Sequence, residues 1–284
     1  MIYVIIPVYN RLQATVDCLI SLQKQKNFRE LLIIVVDDNS TDGTKKYLRK
    51  NFPNVTILNG TGSLFWGGSI FYAIEYVIKI SKVGDWVLLV NNDVQLSSDA
   101  ILELIKTSEA YNRKALVGAL TVSAEDKKTI IKSGTVVKSW FLNITEHVFT
   151  NKKLDDISNK NPVAVDFLTG RCLLHPVEIF SVAGNYDAKT FNHYGGDDEF
   201  SMRVKNYSFV TLLCPNSIVY LRAYNQEQKK KISIKSFFFI FFSIKSSSNI
   251  INKLKLSLRI VPLYARLSFF IIGVIKSLYI FLKR

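Results

Sequence analysis

The chain alternates short apolar runs with stretches of helical spacing. Residues 2–6 are an unbroken apolar run that ends in Pro7-Val8-Tyr9-Asn10-Arg11. Residues 12–25 then carry Val16, Leu19, Ile20 and Leu22 near helical spacing. A second apolar run at 31–36 closes on Asp37-Asp38-Asn39-Ser40-Thr41-Asp42-Gly43-Thr44. A helical stretch to about residue 50 leads to a third run at 55–58, and a fourth at 86–90 runs straight into Asn91-Asn92-Asp93. Apolar runs without polar alternation suit strands covered on both faces, and the β-α-β-α-β order argues for parallel strands with right-handed crossovers. The pattern predicts an α/β fold with a mostly parallel central sheet flanked by helices.

In open α/β sheets the ligand lies beyond the carboxyl ends of the strands. The polar residues after the first, second and fourth runs would share that edge. A carboxylate such as Asp93 can hold a hard divalent cation there, and the cation can grip a diphosphate. Asp37 or Asp38 can accept hydrogen bonds from a base N–H or a ribose hydroxyl. Local chemistry offers a competing account: Asn91 to Asp93 suit an Asx turn, and Ser40, Thr41 or Asp42 suit a helix cap. It leaves two adjacent acids after the second strand unexplained. Residues 62–69 nearly spell the phosphate loop G-x-x-x-x-G-K-S, but Gly68 stands where the lysine belongs, which argues against a nucleoside triphosphatase. No G-x-G-x-x-G follows the first run, which argues against a dinucleotide dehydrogenase. What remains at 59–69 is a glycine-rich loop around Trp66-Gly67-Gly68 that lets a ligand approach the backbone, followed by a helix at 70–80.

Further on, the spacing predicts a surface helix at 102–111 and a strand at 116–122, then a polar, irregular segment at 125–162 rich in Lys and Asn. Arg171 follows Asp166-Phe167-Leu168-Thr169-Gly170 and reads either as a phosphate contact or as a surface arginine, whereas His175 before Pro176 reads as structural. Gly195-Gly196 precede three adjacent acids, Asp197-Asp198-Glu199, and Phe200, Val204 and Tyr207 form a helical stripe behind them. That sets the acids at a helix N-terminus, where negative charge is favoured.

Taken together, Ile5-Ile6-Pro7-Val8-Tyr9-Asn10, the Val35–Thr44 run with Asp37-Asp38, and Val90-Asn91-Asn92-Asp93 resemble the family 2 glycosyltransferases of the GT-A fold. Trp66-Gly67-Gly68 resembles a bacterial branch of rhamnosyltransferases and other cell-surface polysaccharide enzymes. The resemblance covers roughly residues 1–225. It implies an inverting transferase that moves a sugar from a nucleotide-diphosphate donor, a dTDP- or UDP-sugar, to a hydroxyl of a glycan or lipid-linked acceptor. Mg²⁺ or Mn²⁺ on Asp93 would neutralise the leaving diphosphate. The family writes its base segment as acid, spacer, acid, with arginine six residues after the first acid. Counting back from Arg203 puts the general base on Asp197 and the second acid on Glu199, with Asp198 as the fallback base. Asp38 would read the nucleotide base, and Pro7, Tyr9, Arg11, Trp66, Gly67 and Asn92 would line the nucleotide-sugar pocket. The chain departs from the family twice: Asn91 replaces the first acid of the usual metal pair, and no histidine follows His193 to complete the ligands.

Composition narrows the setting. With 284 residues and 48% hydrophobic side chains the chain can bury a full core, so a disordered chain is excluded. Cys18, Cys172 and Cys214 are far apart and odd in number, which argues for a reducing compartment. The first residues lack a basic segment and cleavage site, so no signal peptide is expected. A net charge of +14 suits anionic partners, but no nucleic-acid module is present in the sequence. From Gln226 the character changes. Lys229-Lys230-Lys231 precedes a short phenylalanine-rich run at 237–242, and residues 250–284 read as a long apolar helix broken near Pro262. Lys255, Arg259, Arg266, Lys276 and Arg284 fall within one face roughly 100° wide. The expectation is a catalytic segment at 1–225 and a basic helical extension at 226–284. The extension would lie on an anionic membrane surface, peripheral on the cytoplasmic face, with docking on the catalytic domain or a homodimer as alternatives. A nucleotidyltransferase or a non-catalytic nucleotide-sugar-binding module are the competing functions. The first would want a Gly-rich, Lys- or Arg-bearing loop after the first strand. The second would lack a use for Asp38, Asp93 and Asp197 together.

Overall fold

The computed structural model describes residues 1–26, 30–157, 160–222 and 233–283. Its first half follows the hydrophobic pattern: β1 (Ile2–Val8), α1 (Leu12–Gln23), β2 (Leu31–Asp37), α2 (Thr44–Asn51), β3 (Thr56–Asn59), α3 (Phe65–Ile80) and β4 (Trp86–Val90). Then come β5 (Val94–Leu96), α4 (Ala100–Ala110), β6 (Ala115–Ser123), β7 (Ile130–Lys132), β8 (Thr135–Ser139), β9 (Ile144–His147), β10 (Val163–Ala164) and β11 (Cys172–Pro176). The rest is α5 (Ile179–Ala183), α6 (Gly196–Arg203), β12 (Val210–Leu221), α7 (Ile234–Phe242), α8 (Ile250–Ile260) and α9 (Arg266–Leu282).

The main sheet runs β10-β12-β6-β11-β4-β1-β2-β3. β1 pairs in parallel with β2 and β4, and β2 with β3. β11 enters antiparallel between β4 and β6, and β12 runs parallel to β6. The carboxyl ends of β1, β2 and β4 therefore meet at one edge. Both faces of the sheet are buried. Ile5, Ile34 and Leu89 pack on one side with Ile70 and Ile74 of α3, whereas Val4, Val35 and Leu88 pack on the other with Leu19 of α1 and Leu104 of α4. This two-sided burial is the reason these strands carry no polar alternation. His175 is a core residue, as its sequence context implied: it is buried, with Val87 O at 3.3 Å and the Tyr186 hydroxyl at 2.9 Å. The three cysteines are free and buried.

Three expectations change. First, Trp66-Gly67-Gly68 lies in the first turn of α3 and not in a loop. The Asp38 carboxylate makes this possible by accepting from the N–H groups of Gly62 (2.7 Å) and Phe65 (3.0 Å) at the start of the helix. Second, the 125–162 segment is not irregular: it adds β7 to the edge of β6 and folds β8 and β9 into a hairpin. Its short, mostly half-exposed strands are rich in Lys and Thr and give little apolar periodicity to read.

Third, basic side chains of the expected membrane face find partners within the protein. Arg259 pairs with Asp187 at 2.9 Å, Lys255 donates to the Thr190 carbonyl at 3.2 Å, and Lys276 donates to the Asn143 carbonyl. The Arg266 Nε–H bonds the Val261 carbonyl at 3.1 Å. Arg259 and Lys276 remain exposed beside these partners, and the Arg266 bond is made within the tail. The surface left outside is apolar, with Leu263 80% and Leu267 71% exposed. The expected break near Pro262 is present between α8 and α9. Lys229-Lys230-Lys231, Arg284 and the expected boundary at 225/226 lie outside the described residues.

Candidate active site

A cavity of about 1000 Å³ opens at the carboxyl edge of the sheet. Of the residues nominated from sequence, Pro7, Tyr9, Arg11, Asp38, Trp66, Asn92, Asp93, Asp197 and Asp198 all line it, and Gly67 and Glu199 do not. Gly67 has a packing role. Its N–H bonds the Asn192 carbonyl at 2.7 Å, and a Cβ there would stand 2.3 Å from the Phe191 carbonyl oxygen. Glu199 is buried and grips Arg203, with Arg203 Nη2 at 2.9 Å and Nε at 3.0 Å. Arg203 in turn donates to the carbonyls of Ala183 and Asn185. The Glu199–Arg203 pair ties α6 to the segment before it, out of reach of the cavity.

The fourth strand delivers three polar side chains with three different duties. Asn91 Oδ1 accepts the Trp66 indole N–H at 2.9 Å, and Asn92 Nδ2 donates to the Thr15 hydroxyl at 3.0 Å. The departure at position 91 therefore has a local use: an amide fixes the tryptophan. The Trp66 ring also lies against Gly170, where a Cβ would stand 2.2 Å from Cζ2, and edge-on to Tyr186 at 5.9 Å. Asp93 remains for the ligand. Its Oδ2 lies 3.3 Å from Arg11 Nη1, and its Oδ1 is buried without a hydrogen-bond partner. An orphaned carboxylate oxygen facing a cavity fits a divalent cation that draws its other ligands from a diphosphate and water, which is how Mg²⁺ is commonly held. Among the described residues no cluster of three or more His, Cys, Asp or Glu stands ready to hold a metal alone.

Asp38 lines the cavity at the end of β2, but its carboxylate already receives the two N–H groups that start α3. Phe65 beside it has φ 52, the left-handed region that bulky residues avoid, and strain of this kind gathers at ligand sites.

Asp197 and Asp198 form the floor, deep in the protein yet open to the cavity. Asp197 Oδ2 accepts from the Gly170 N–H at 3.1 Å and Oδ1 from the Asp198 N–H at 3.1 Å. Burial pushes the Asp198 carboxyl up to about 8, and the Asp197 charge adds to that. Burial also holds Asp197 above the usual carboxylate range, opposed by those two N–H donors and by the Arg171 guanidinium. A buried pair of this kind holds one proton between two carboxyls. The hydrogen bonds to Asp197 favour its charged form, so Asp198 keeps the proton.

Two groups were missed from sequence. His193 lies in the cavity wall, its ring 5.7 Å from that of Phe65, with Nδ1 buried and unpartnered. Its burial, with Lys245 nearby, lowers its pKa and keeps it neutral. Its place beside the glycines before the acids was the available signal. The second group comprises Lys132, Thr135, Asn143, Thr145 and His147 of the β7–β9 segment, which line the side of the cavity away from β1 and β2. No signal in sequence marked these.

The family model "Glycosyl transferase family 2" matches residues 3–170. The chain is 24% identical over 208 residues to the N-acetylglucosaminyl-diphospho-decaprenol L-rhamnosyltransferase of Mycobacterium tuberculosis, covering 67% of this chain and 66% of that protein. The chain thus spans about two thirds of the length of this relative. Among solved structures, GalNAc-T7 with UDP, GalNAc and Mn²⁺ superposes with a TM-score of 0.62 at 14% identity, covering 82% of this chain and 45% of that one. The mannosyltransferase PcManGT of Pyrobaculum calidifontis with GDP-Man and Mn²⁺ gives 0.58 at 13% identity, covering 98% and 73%. These likenesses show the shared GT-A fold, and with the family match over most of the sheet, the chain belongs to the family 2 glycosyltransferases.

Proposed function

We propose that the protein transfers a sugar from a nucleotide-diphosphate donor to a hydroxyl of a lipid-linked or glycan acceptor, with inversion, in cell-surface polysaccharide synthesis. The observation that carries this reading is the Asp197–Asp198 pair on the floor of the cavity that Asp93 and Trp66 also line. The donor would lie along Pro7, Tyr9, Arg11 and Asp38, with Trp66 under the sugar. Mg²⁺ or Mn²⁺ would sit on the free Oδ1 of Asp93 and supply positive charge at the diphosphate. Arg11 adds positive charge at the same place, and Arg171 stands by Asp197. Asp197, the ionised member of the pair, takes the proton from the acceptor hydroxyl as that oxygen attacks the anomeric carbon. The glycosidic C–O bond forms as the bond to the diphosphate breaks, so a single displacement inverts the centre. Asp198, holding its proton, keeps a second negative charge from the floor. A dTDP-linked rhamnose comes first among donors, on the likeness to the mycobacterial rhamnosyltransferase, and a UDP-sugar second.

The C-terminal helices would hold the enzyme at the membrane by their apolar outer face. Residues 263–282 form a 20-residue helical stretch, long and apolar enough to cross a bilayer; its most apolar window has mean hydropathy 1.8 and is only 22% buried. This contact would be chiefly hydrophobic, because the basic side chains already have partners within the protein.

A thermal-shift panel of UDP, dTDP, GDP and CDP, with and without Mn²⁺, tests the catalytic reading. One nucleotide should raise the melting temperature in a metal-dependent way, and Asp93→Ala should abolish the metal dependence. No shift with any nucleotide would sink the proposal.

A further inference from the structure

We propose that the acceptor side of the cavity is a phosphate-binding subsite, built by Lys132 and His147 from the β7–β9 segment and by Asn252 and Lys253 from α8. The inference rests on the transferase reading and specifies what its acceptor carries. Lys132 ends β7, and its Nζ lies 3.3 Å from His147 Nε2 at the end of β9. The Thr135 hydroxyl lies 3.3 Å from the other ring nitrogen. Neither Lys132 nor Lys253 makes an ion pair among the described residues. Asn252 Nδ2 is buried with no hydrogen-bond partner. All four side chains except that of His147 are donors only or present a free donor, and all four line the same cavity.

The electrostatics point the same way. Burial lowers the Lys132 pKa, and the like charge of Arg171 lowers it further. Burial and Lys276 do the same to Lys253, and burial and Lys132 to His147. Asp198 opposes the shift at Lys132; half-buried cations held near like charges still cost free energy, and the cost is relieved when an anion binds between them. Lysines act as point charges toward phosphate, approaching from separate directions, which suits two ammonium groups carried by different elements. The nucleotide diphosphate belongs at the other side of the cavity, against Arg11 and Asp93.

The two walls are fastened to each other. Asn143, in the β8–β9 turn, donates to the Phe269 carbonyl at 2.9 Å and accepts from Lys276. Beyond the cations the cavity wall turns apolar, with Leu256, Ile260, Phe269 and Phe270 from the C-terminal helices. A phosphate bound at Lys253 would have this apolar surface beside it. That arrangement suits a lipid-linked phosphate. A water-soluble polyol phosphate shares the same anionic chemistry.

The test uses the full chain with its donor site filled by whichever of UDP or dTDP binds. Inorganic pyrophosphate and farnesyl diphosphate are then titrated calorimetrically. Binding to a second site is expected, weakened roughly tenfold or more in Lys132→Ala and in Lys253→Ala. Lys132→Arg should recover part of the loss. The melting temperatures of the variants, read beforehand, show that they are folded. Farnesyl diphosphate binding tighter than pyrophosphate would assign the phosphate to a lipid, and equal affinities would assign it to a soluble chain; either supports the subsite. No second-site binding, or binding unchanged in both alanine variants, overturns it. If neither nucleotide binds but pyrophosphate still depends on Lys132 and Lys253, the subsite stands and the donor reading fails.

Discussion

Replacing Asp198 by Asn should change how stability depends on pH. Asp198 titrates at about 8 in the folded protein, against an ordinary value of 3.8. A carboxyl with a raised folded pKa binds its proton more tightly folded than unfolded, so wild type loses stability as pH rises from about 4 to about 8. Asn keeps the size and carries no charge, so the variant lacks that slope. Between about pH 5.5 and about pH 8.5 the single-site linkage comes to about 2.4 pK units, or about 3 kcal/mol at about 1.36 kcal/mol per unit. That figure is a ceiling, because cavity water screens the charge and Asp197 shares the proton. A third of it, about 1 kcal/mol, still moves the melting temperature by about 2 °C or more in a chain of this size. Melting curves of wild type and Asp198→Asn across this range measure the effect. His147 and His193, whose pKa values burial lowers, titrate in both proteins and largely cancel in the difference. The variant should gain on wild type steadily as pH rises. Parallel curves, or a gap that closes toward high pH, would refute the shared-proton account.

Other changes separate catalytic from packing roles. Asp197→Asn should lower transfer by roughly a hundredfold to ten-thousandfold while nucleotide affinity, read by calorimetry, stays near wild type. Glu199→Gln should cost about 3 kcal/mol of stability by leaving Arg203 under-paired, with transfer per folded molecule nearly intact; a large loss of transfer at full stability would return Glu199 to the catalytic set. Gly67→Ala should destabilise by about 2 kcal/mol, since its Cβ would meet the Phe191 carbonyl, and denaturant melts read this directly. Leu267→Glu with Ile275→Glu should abolish co-flotation with neutral and anionic vesicles alike, whereas Lys276→Ala should leave it unchanged.

The sheet and its ligand edge were legible because two-sided burial writes itself as unbroken apolar runs, and because strand ends carry Asp38, Asp93 and their neighbours in order. The acids on α6 were legible as a group but not as individuals. Sequence spacing put Glu199 in the site, yet a helical turn rotates adjacent residues by about 100°, so Asp197 and Asp198 face the cavity while Glu199 faces Arg203. Gly67 misled for a related reason. A glycine that admits a ligand and a glycine that admits a neighbouring carbonyl are identical in sequence, and only the position of Phe191 tells them apart. The basic stripe of the tail was legible as a pattern. Amphipathicity, however, does not say which side meets the protein, and Asp187 with the carbonyls of Thr190 and Asn143 engages three of its members.

The acceptor wall was illegible for a deeper physical reason. The residues proposed for the donor, such as Asp38 and Asp93, follow strands whose hydrophobic pattern constrains them, so their positions follow from the fold. Lys132 and His147 hang from short edge strands, and Asn252 and Lys253 from a helix whose Leu256 and Ile260 pack in a small apolar cluster with Phe167, Val261 and Ala265, apart from the two clusters that flank the sheet. Their apolar anchors lie at the margin of the core, so these elements can change with less disturbance to the sheet. A transferase fold can therefore keep one nucleotide site while its acceptor site is rebuilt from the hairpin and the tail. It follows that acceptor preference should move with these two segments together. Exchanging the β8–β9 hairpin alone would break its clamp on α9 through Asn143, and should lower transfer to every acceptor; exchanging hairpin and helices as a unit should change which acceptor is used while nucleotide affinity holds. Equal outcomes from the two exchanges would mean that the walls act independently.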